Sequence, residues 1–261
     1  MVRLPRIPDL LTTANLCCGV GSILLASQGQ LTLACWLVFA GAFFDVLDGL
    51  AARALGGGSE LGKQLDSLAD MVTFGVAPGM VLWSGHLSMV WKRYLFHVDQ
   101  DGPVAELKPE LTIALAVIAL VSASAWRLAK FNIDTRQTSG FLGLPTPANG
   151  LFWASLLLGA LGVWTTEVPG STGIAGIVNE LLSAPVALLA LSIVMAVLML
   201  SEIPLPSLKF QHFKWRGNEV IYLLLGIGAV LVVLYGMLAV PLILVLYVLS
   251  PLWAKLFPKA V

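Results

Sequence analysis

Charge is what this chain has least of. Lysine and arginine together account for 15 of its 261 residues, and aspartate and glutamate for another 15. Against this, 58% of residues are hydrophobic and the mean hydropathy is +0.89. Long apolar runs at so low a charge density exclude a soluble domain and indicate an integral membrane protein. Cysteine is scarce too. Cys17, Cys18 and Cys35 all fall in apolar stretches without metal-site spacing, so buried, reduced thiols are expected. There is no internal repeat and no low-complexity tract. The net charge of zero carries no argument for nucleic acid, and no such partner is expected.

What is present is a succession of apolar helices. The length accommodates roughly eight spans of about 20 residues, so the expected fold is an all-α integral membrane protein of about eight transmembrane helices in a single domain, residues 1–261. The spans are expected at 10–27, 31–54, 61–84, 111–131, 147–164, 184–201, 219–237 and 239–256, with Gly236 and Pro241 marking a final hairpin. Gly56-Gly57-Gly58-Ser59 breaks the second span from the third. Ser59 is placed to cap the next helix, with Glu60 in its first turn. Residues 85–110, carrying His86, Trp91, Lys92, Arg93, Tyr94 and His97, read as a polar connection on the membrane surface. Residues 10–27 imitate the apolar core of a signal peptide, and Cys17-Cys18-Gly19 a lipoprotein cleavage site. No soluble exported domain comes after them, so a span is expected there.

Charge sets an expected orientation. With eight spans both termini share a side, and of the 15 lysines and arginines only Lys92, Arg93 and Lys108 fall on the other one. The positive-inside bias then places both termini at the cytoplasmic face of the cell's inner membrane.

One stretch at that face stands out. Asp45-Val46-Leu47-Asp48-Gly49-Leu50-Ala51-Ala52-Arg53 closes the second span, and Gly62-Lys63-Gln64-Leu65-Asp66-Ser67-Leu68-Ala69-Asp70 opens the third. Ionisable residues in membrane helices are costly and mark function. Asp45 and Asp48 are three apart, and Asp66 and Asp70 four apart, so each pair shares a helix face. The glycine-rich turn lets the two helices run antiparallel and the four carboxylates converge. Like charges so close cannot all stay ionised at low dielectric without cations. Hard oxygen donors without nearby Cys or His select Mg²⁺, Mn²⁺ or Ca²⁺ over zinc, and a carboxylate-bound Mg²⁺ commonly completes its shell with substrate phosphate. Gly49 and Ala52 leave the helix surface bare beside the carboxylates, Gly62 does the same opposite, and Arg53 adds a guanidinium suited to phosphate.

The full pattern, Asp-x2-Asp-Gly-x2-Ala-Arg-x8-Gly-x3-Asp-x3-Asp, resembles the signature of the CDP-alcohol phosphotransferases over 26 residues. The resemblance implies a six-helix catalytic core (1–201), usually in a homodimer, with residues 202–261 forming a cytoplasmic linker and a two-span hairpin. It also implies a site for two divalent cations, Mg²⁺ or Mn²⁺. By position, Asp45, Asp48, Asp66 and Asp70 bind the metals, and Asp70 is also the general base. Gly49, Ala52, Arg53 and Gly62 hold the cytidine diphosphate, with Ser59 and Asn15 as further candidates. For Asn15 an interhelical hydrogen bond explains its presence equally well.

Three further stretches resemble the phosphatidylserine synthases of this family: Arg127-Leu128-Ala129-Lys130-Phe131-Asn132, the run Gly140 to Asn149, and Leu200-Ser201-Glu202-Ile203-Pro204 with Ser207 and Lys209 beyond. Lys130 stands where arginine is frequent, and Asn149 where a small residue is. The implied substrates are CDP-diacylglycerol, held with its chains in the bilayer, and L-serine. A serine carboxylate needs a cation or backbone N–H groups. Arg127, Lys130, Gly143 and Pro145 are the candidates; Arg136 reads instead as a cytoplasmic flank. Alternatives are another acceptor, such as glycerol 3-phosphate or an inositol phosphate, and an ether-lipid donor. A cation-coupled transporter is the rival of another class. It would require internal repeats and carboxylates near the bilayer midplane, whereas these cluster in one hairpin at one face.

Overall fold

The computed structural model describes residues 6–57, 59–96, 109–134, 141–164, 173–205 and 219–254. Outside them lie Gly58, His97, Gly140, Arg136 and Ser207, together with Arg3, Lys108, Lys209, Lys214, Arg216, Lys255 and Lys259, which bear on the charge bias.

Helix succeeds helix: α1 (Ile7–Ser27), α2 (Leu31–Ala54) and α3 (Glu60–Asp70). A π turn (Met71–Val76) joins α3 without a break to α4 (Ala77–Phe96), and α5 (Pro109–Ile133) comes next. The strand β1 (Phe141–Leu142) leads to α6 (Thr146–Ala160), α7 (Ile174–Ser183) and α8 (Pro185–Leu200). After β2 (Pro204–Leu205), α9 (Glu219–Tyr235) and α10 (Ala239–Ala254) are joined by a 3₁₀ turn at Gly236–Leu238. The bundle's outer surface is apolar, with Leu24, Phe43, Ile118, Val186, Val197 and Val233 among the exposed large side chains. In water such a surface would drive aggregation; in a bilayer it is the lipid contact.

Each of the eight expected stretches contains a helix, but among the described residues the number of spans by length and apolarity is smaller. Five helical runs there are long and apolar enough to cross a membrane: Ile7–Ser27, Leu31–Ala54, Glu60–Ser88, Pro109–Ile133 and Ile221–Pro251. A sixth is counted if Gly176–Ser183 and Pro185–Leu200, bent by 96°, act as one. The run Ile221–Pro251 folds back at Gly236–Leu238, where Gly228 of α9 lies against Ile243 of α10. α6, with 15 residues, is shorter than a span and sits inside the bundle. Its burial extends from Thr146 to Ala160 on nearly every side, and α2, α4, α10 and the π turn all pack on it. A helix enclosed by protein has no need to match the hydrocarbon thickness.

Three details differ from the sequence expectations. Residues 85–96 continue α4 rather than forming a surface connection, and His86 is buried, its Nδ1 3.1 Å from the carbonyl of Leu182. α7, unanticipated, lies across the end of α8, packed on α4 and α6. Of the three free cysteines only Cys35 is buried; Cys17 faces outward from α1.

The bundle closes tightest around the π turn. A Cβ at Gly19 would fall 2.8 Å from Thr73 Cα, one at Gly41 2.9 Å from Asn15 Oδ1, and one at Gly150 3.0 Å from Phe74 Cα. Small residues thus let α1, α2 and α6 approach the turn after Asp70, as small-residue contacts do between membrane helices. Gly150→Val is expected to lower the thermal unfolding midpoint in detergent, costing about 1–3 kcal/mol through overpacking. Gly226→Ala, whose Cβ meets nothing within 4 Å, is expected to leave the midpoint unchanged or raised.

Candidate active site

The site is assembled at one end of the bundle by the turn between α2 and α3. Gly56 and Gly57 take left-handed φ of +88° and +111°, conformations open to glycine, and reverse the chain. Ser59 then caps α3, its Oγ accepting from the Gly62 amide at 2.9 Å, as expected for a residue of its type at that position. The two helices return antiparallel with their acidic faces inward.

Asp45, Asp48 and Asp66 each direct a carboxylate oxygen into one small volume, all within 4.8 Å of one another. Asp48 is buried, while Asp45 and Asp66 are half-buried. Asp70 is not one of this trio. It is buried one turn further along α3, within electrostatic range of Asp45, Asp66 and Asp48, and its Oδ1 accepts from Asn15 Nδ2 at 3.1 Å. The donor set is all carboxylate oxygen with no sulfur or imidazole, which fits Mg²⁺ or Mn²⁺. A hard cation between these groups would offset their mutual repulsion.

α1 supplies what the motif lacks. Thr12 Oγ1 donates to Asp48 Oδ2 at 2.6 Å, and Asn15, three residues on, donates to Asp70. Thr73 returns from the π turn to donate to the Asn15 carbonyl at 3.0 Å. The two explanations for Asn15 therefore coincide: it makes an interhelical hydrogen bond, and its partner is a motif carboxylate. Thr12 escapes a motif-based reading. Its signal is the buried polar and small stripe Thr12, Asn15, Gly19, Ser22 and Ala26 along α1.

Beside the carboxylates opens a cleft of about 340 Å³. Gly49, Ala52, Ser59 and Gly62 line it with Asp48 and Asp66, and α1 contributes Arg6, Asp9 and Thr12. A Cβ at Gly49 would meet nothing within 4 Å, so the backbone of α2 is bare toward the cleft. Gly62 instead lies against Asp9, whose Oδ1 would be 2.9 Å from an added Cβ. Arg53 is exposed in the last turn of α2 and is not among the lining residues; Arg6 and Lys63 are the cations that line the cleft. Lys63 is tied to α5 through the Asn132 carbonyl at 2.9 Å, and Asn132 Nδ2 donates to Ser67 at 2.8 Å.

The residues expected to face the acceptor gather where α5 meets the loop before α6. Arg127 is buried, its Nε 3.3 Å from the Leu144 carbonyl and its guanidinium 5.5 Å from the centre of the Phe131 ring. It lies one turn along α5 from Ser124, which packs on Gly75 of the π turn. Lys130 is half-exposed and pairs with Glu202 at 3.0 Å. Gly143 has φ +73°, and its amide donates to Ile203 while that of Leu144 donates to Leu198, both at 2.9 Å. These two amides bind the loop to the end of α8 rather than facing a ligand. β1 and β2 extend the clasp, pairing Phe141 with Leu205 and Leu142 with Pro204. Pro145 occupies the N-cap of α6.

A family model described as CDP-alcohol phosphatidyltransferase matches residues 6–200. Over 228 residues the chain is 32% identical to the CDP-diacylglycerol–serine O-phosphatidyltransferase of Helicobacter pylori (strain 26695), covering 86% of this chain and 81% of the relative. It is 34% identical over 145 residues to the Bacillus subtilis (strain 168) protein of the same name, covering 56% and 71%. An archaetidylserine synthase of Methanothermobacter thermautotrophicus is 33% identical over 154 residues, 58% of each chain.

Removing the Thr12 hydroxyl tests the support that α1 gives the carboxylates. Thr12→Val is expected to weaken Mn²⁺ binding by about 10–100-fold, as loss of a partner to a ligating side chain commonly does. Mn²⁺ titration monitored by electron paramagnetic resonance measures it; unchanged affinity would remove Thr12 from the site.

Proposed function

The chain belongs to the CDP-alcohol phosphatidyltransferase family, and from that premise we propose that it transfers the phosphatidyl group of CDP-diacylglycerol to the hydroxyl of L-serine at the cytoplasmic face of the membrane. The observation that carries this reading is the convergence of Asp45, Asp48 and Asp66 within 4.8 Å, with Asp70 hydrogen-bonded beside them at the edge of an open cleft. Serine as acceptor is supported by the names of the relatives and by a buried arginine near the same end of the bundle.

In this mechanism Asp45, Asp48, Asp66 and Asp70 would hold two divalent cations, Mg²⁺ or Mn²⁺. When bound, such cations neutralise a diphosphate and polarise the phosphorus under attack. The chain's own residues do the rest. Gly49, Ala52, Ser59 and Gly62 accept the cytidine diphosphate in the cleft, and Arg6 and Lys63 add positive charge to it. Arg127 holds the serine carboxylate by charge-assisted hydrogen bonds. Asp70 takes the proton from the serine hydroxyl, with Asn15 fixing the direction its carboxylate faces. The serine oxygen bonds to the phosphorus that carries diacylglycerol, the bond from that phosphorus to the bridging oxygen breaks, and CMP leaves with the electron pair. The homodimer implied by the resemblance belongs to the same proposal. The relative named archaetidylserine synthase favours a second reading, in which the donor's chains are ether-linked.

Purified protein given CDP-diacylglycerol, Mg²⁺ or Mn²⁺ and labelled serine is expected to release CMP and lipid-linked label in equal amounts. Label absent while glycerol 3-phosphate is consumed would overturn the acceptor; cation flux into liposomes without CMP release would favour a transporter. Asp70→Asn is expected to cut kcat by about 10²–10⁴-fold or more. Arg127→Gln is expected to raise the KM for serine about tenfold or more, and that for CDP-diacylglycerol much less. Equal effects on both substrates would place Arg127 outside the acceptor site.

A further inference from the structure

α6 and α10 run antiparallel. Gly159 packs on Leu238 at one end, and Pro145 and Tyr247 face a common groove at the other. Along this seam runs a groove of about 290 Å³, lined by Pro145, Ala148 and Leu151 on one side and Ile243, Leu244 and Tyr247 on the other. Apart from the Tyr247 hydroxyl these side chains offer only hydrocarbon. The groove starts beside a buried cation: the Leu144 carbonyl, adjacent to Pro145, accepts from Arg127 Nε at 3.3 Å. Asp134, which is not among the groove's lining residues, and Tyr247 both lie within electrostatic range of the same guanidinium. An occupant matching both features has an anionic head at the Arg127 end and an alkyl chain along α6 and α10.

With serine as the acceptor, its carboxylate sits at Arg127 and the attacked phosphorus lies a few bonds away. The diacylglycerol attached to that phosphorus is then delivered to the mouth of the groove. We propose that the α6–α10 groove holds one acyl chain of the diacylglycerol being transferred, in donor and product alike. This rests on the proposed function, and it gives the C-terminal hairpin, which lies beyond the family match at residue 200, a part in recognising the lipid.

Two measurements test it. The first compares kcat/KM for dioleoyl and dioctanoyl CDP-diacylglycerol. The wild type is expected to prefer the long-chain donor, because burial of each further methylene is favourable. Leu244→Trp and Leu151→Trp, which fill the groove from opposite sides, are each expected to reduce that preference about tenfold. Val230→Trp, on the exposed face of α9, is expected to keep the wild-type ratio. An unchanged ratio in both groove variants overturns the proposal.

The second measurement uses wild-type protein in phosphatidylcholine nanodiscs containing phosphatidylserine with a photoreactive diazirine at the end of one acyl chain. Adducts concentrated on residues 148–151 and 240–247 are expected. Adducts spread evenly over the outward helix faces would mean bulk lipid only. Adducts on the other outward helix faces but none on residues 148–151 and 240–247 would mean that a second copy, not lipid, covers the groove. Either result overturns the proposal. Should the wild type make no phosphatidylserine, the acceptor reading falls while the adduct pattern still decides whether the groove binds lipid.

Discussion

Everything in this bundle answers to one electrostatic difficulty: carboxylates on adjacent helices are brought within a few ångströms of one another at the edge of a low-dielectric medium. Asp45, Asp48 and Asp66 meet within 4.8 Å, and Asp70 stands behind them. Such a group repels itself and invites compensation by cations and by hydrogen-bond donors. The donors come from α1, where Thr12 and Asn15 each take one buried carboxylate. Because they sit on a separate helix, the geometry of the acidic hairpin depends on how closely α1 can approach it.

That closeness is set by packing around the π turn. Glycines at 19, 41 and 150 carry three helices onto Thr73 and Phe74, immediately after Asp70. A π turn inside an otherwise regular helix shifts the register of the residues beyond it, and such turns recur at functional sites. Here it turns the Thr73 hydroxyl to the carbonyl of Asn15, the residue that holds Asp70. Backbone irregularity, small-residue contacts and the buried hydrogen bonds are therefore one arrangement. A side chain added at Gly41 would press on Asn15 Oδ1 as well as on Thr73.

The parts legible from sequence are those in which the chemistry is local. Four aspartates at helical spacing, the glycine turn and the Ser59 cap all declare themselves within 26 residues, and the helices are announced by their apolar runs. Partnerships between distant segments leave weaker traces. Thr12 meets Asp48 across 36 positions and has only a stripe of small buried residues to mark it. The π turn has no compositional sign, and the two-residue strands that clasp β1 to β2 are too short to show an alternation. The polar residues after His86 suggest a surface segment, whereas its burial against Leu182 depends on α7, which the sequence does not announce. Arg53 belongs to the motif yet is exposed off the cleft, while Arg6 and Lys63 line it. The cations nearest the cleft are thus set by how α1 and α3 converge, which a linear pattern does not record.

The same distinction separates the two halves of the proposed reaction. In that reaction metal and nucleotide would be addressed mainly by one hairpin, to which the start of α1 adds Thr12, Asn15 and the preceding Arg6, so most of their site is compact in sequence. The proposed acceptor side would be assembled from pieces that meet only in the fold: Arg127 near the end of α5, the Gly143–Pro145 loop, the end of α8 and Tyr247 of α10. The loop amides are committed to α8, and Lys130 is paired with Glu202, so among these residues the arginine is the charged group set deepest in the bundle. Its surroundings are fixed partly by the C-terminal hairpin, since Leu205, Leu224 and Tyr247 pack as a small cluster of their own beside the clasp. Under the proposed reaction, changes in α9 and α10 would then act on the acceptor side through Tyr247. The groups that would hold metal and nucleotide in that reaction and those that would meet the alcohol and the lipid chain therefore lie on different segments of the chain.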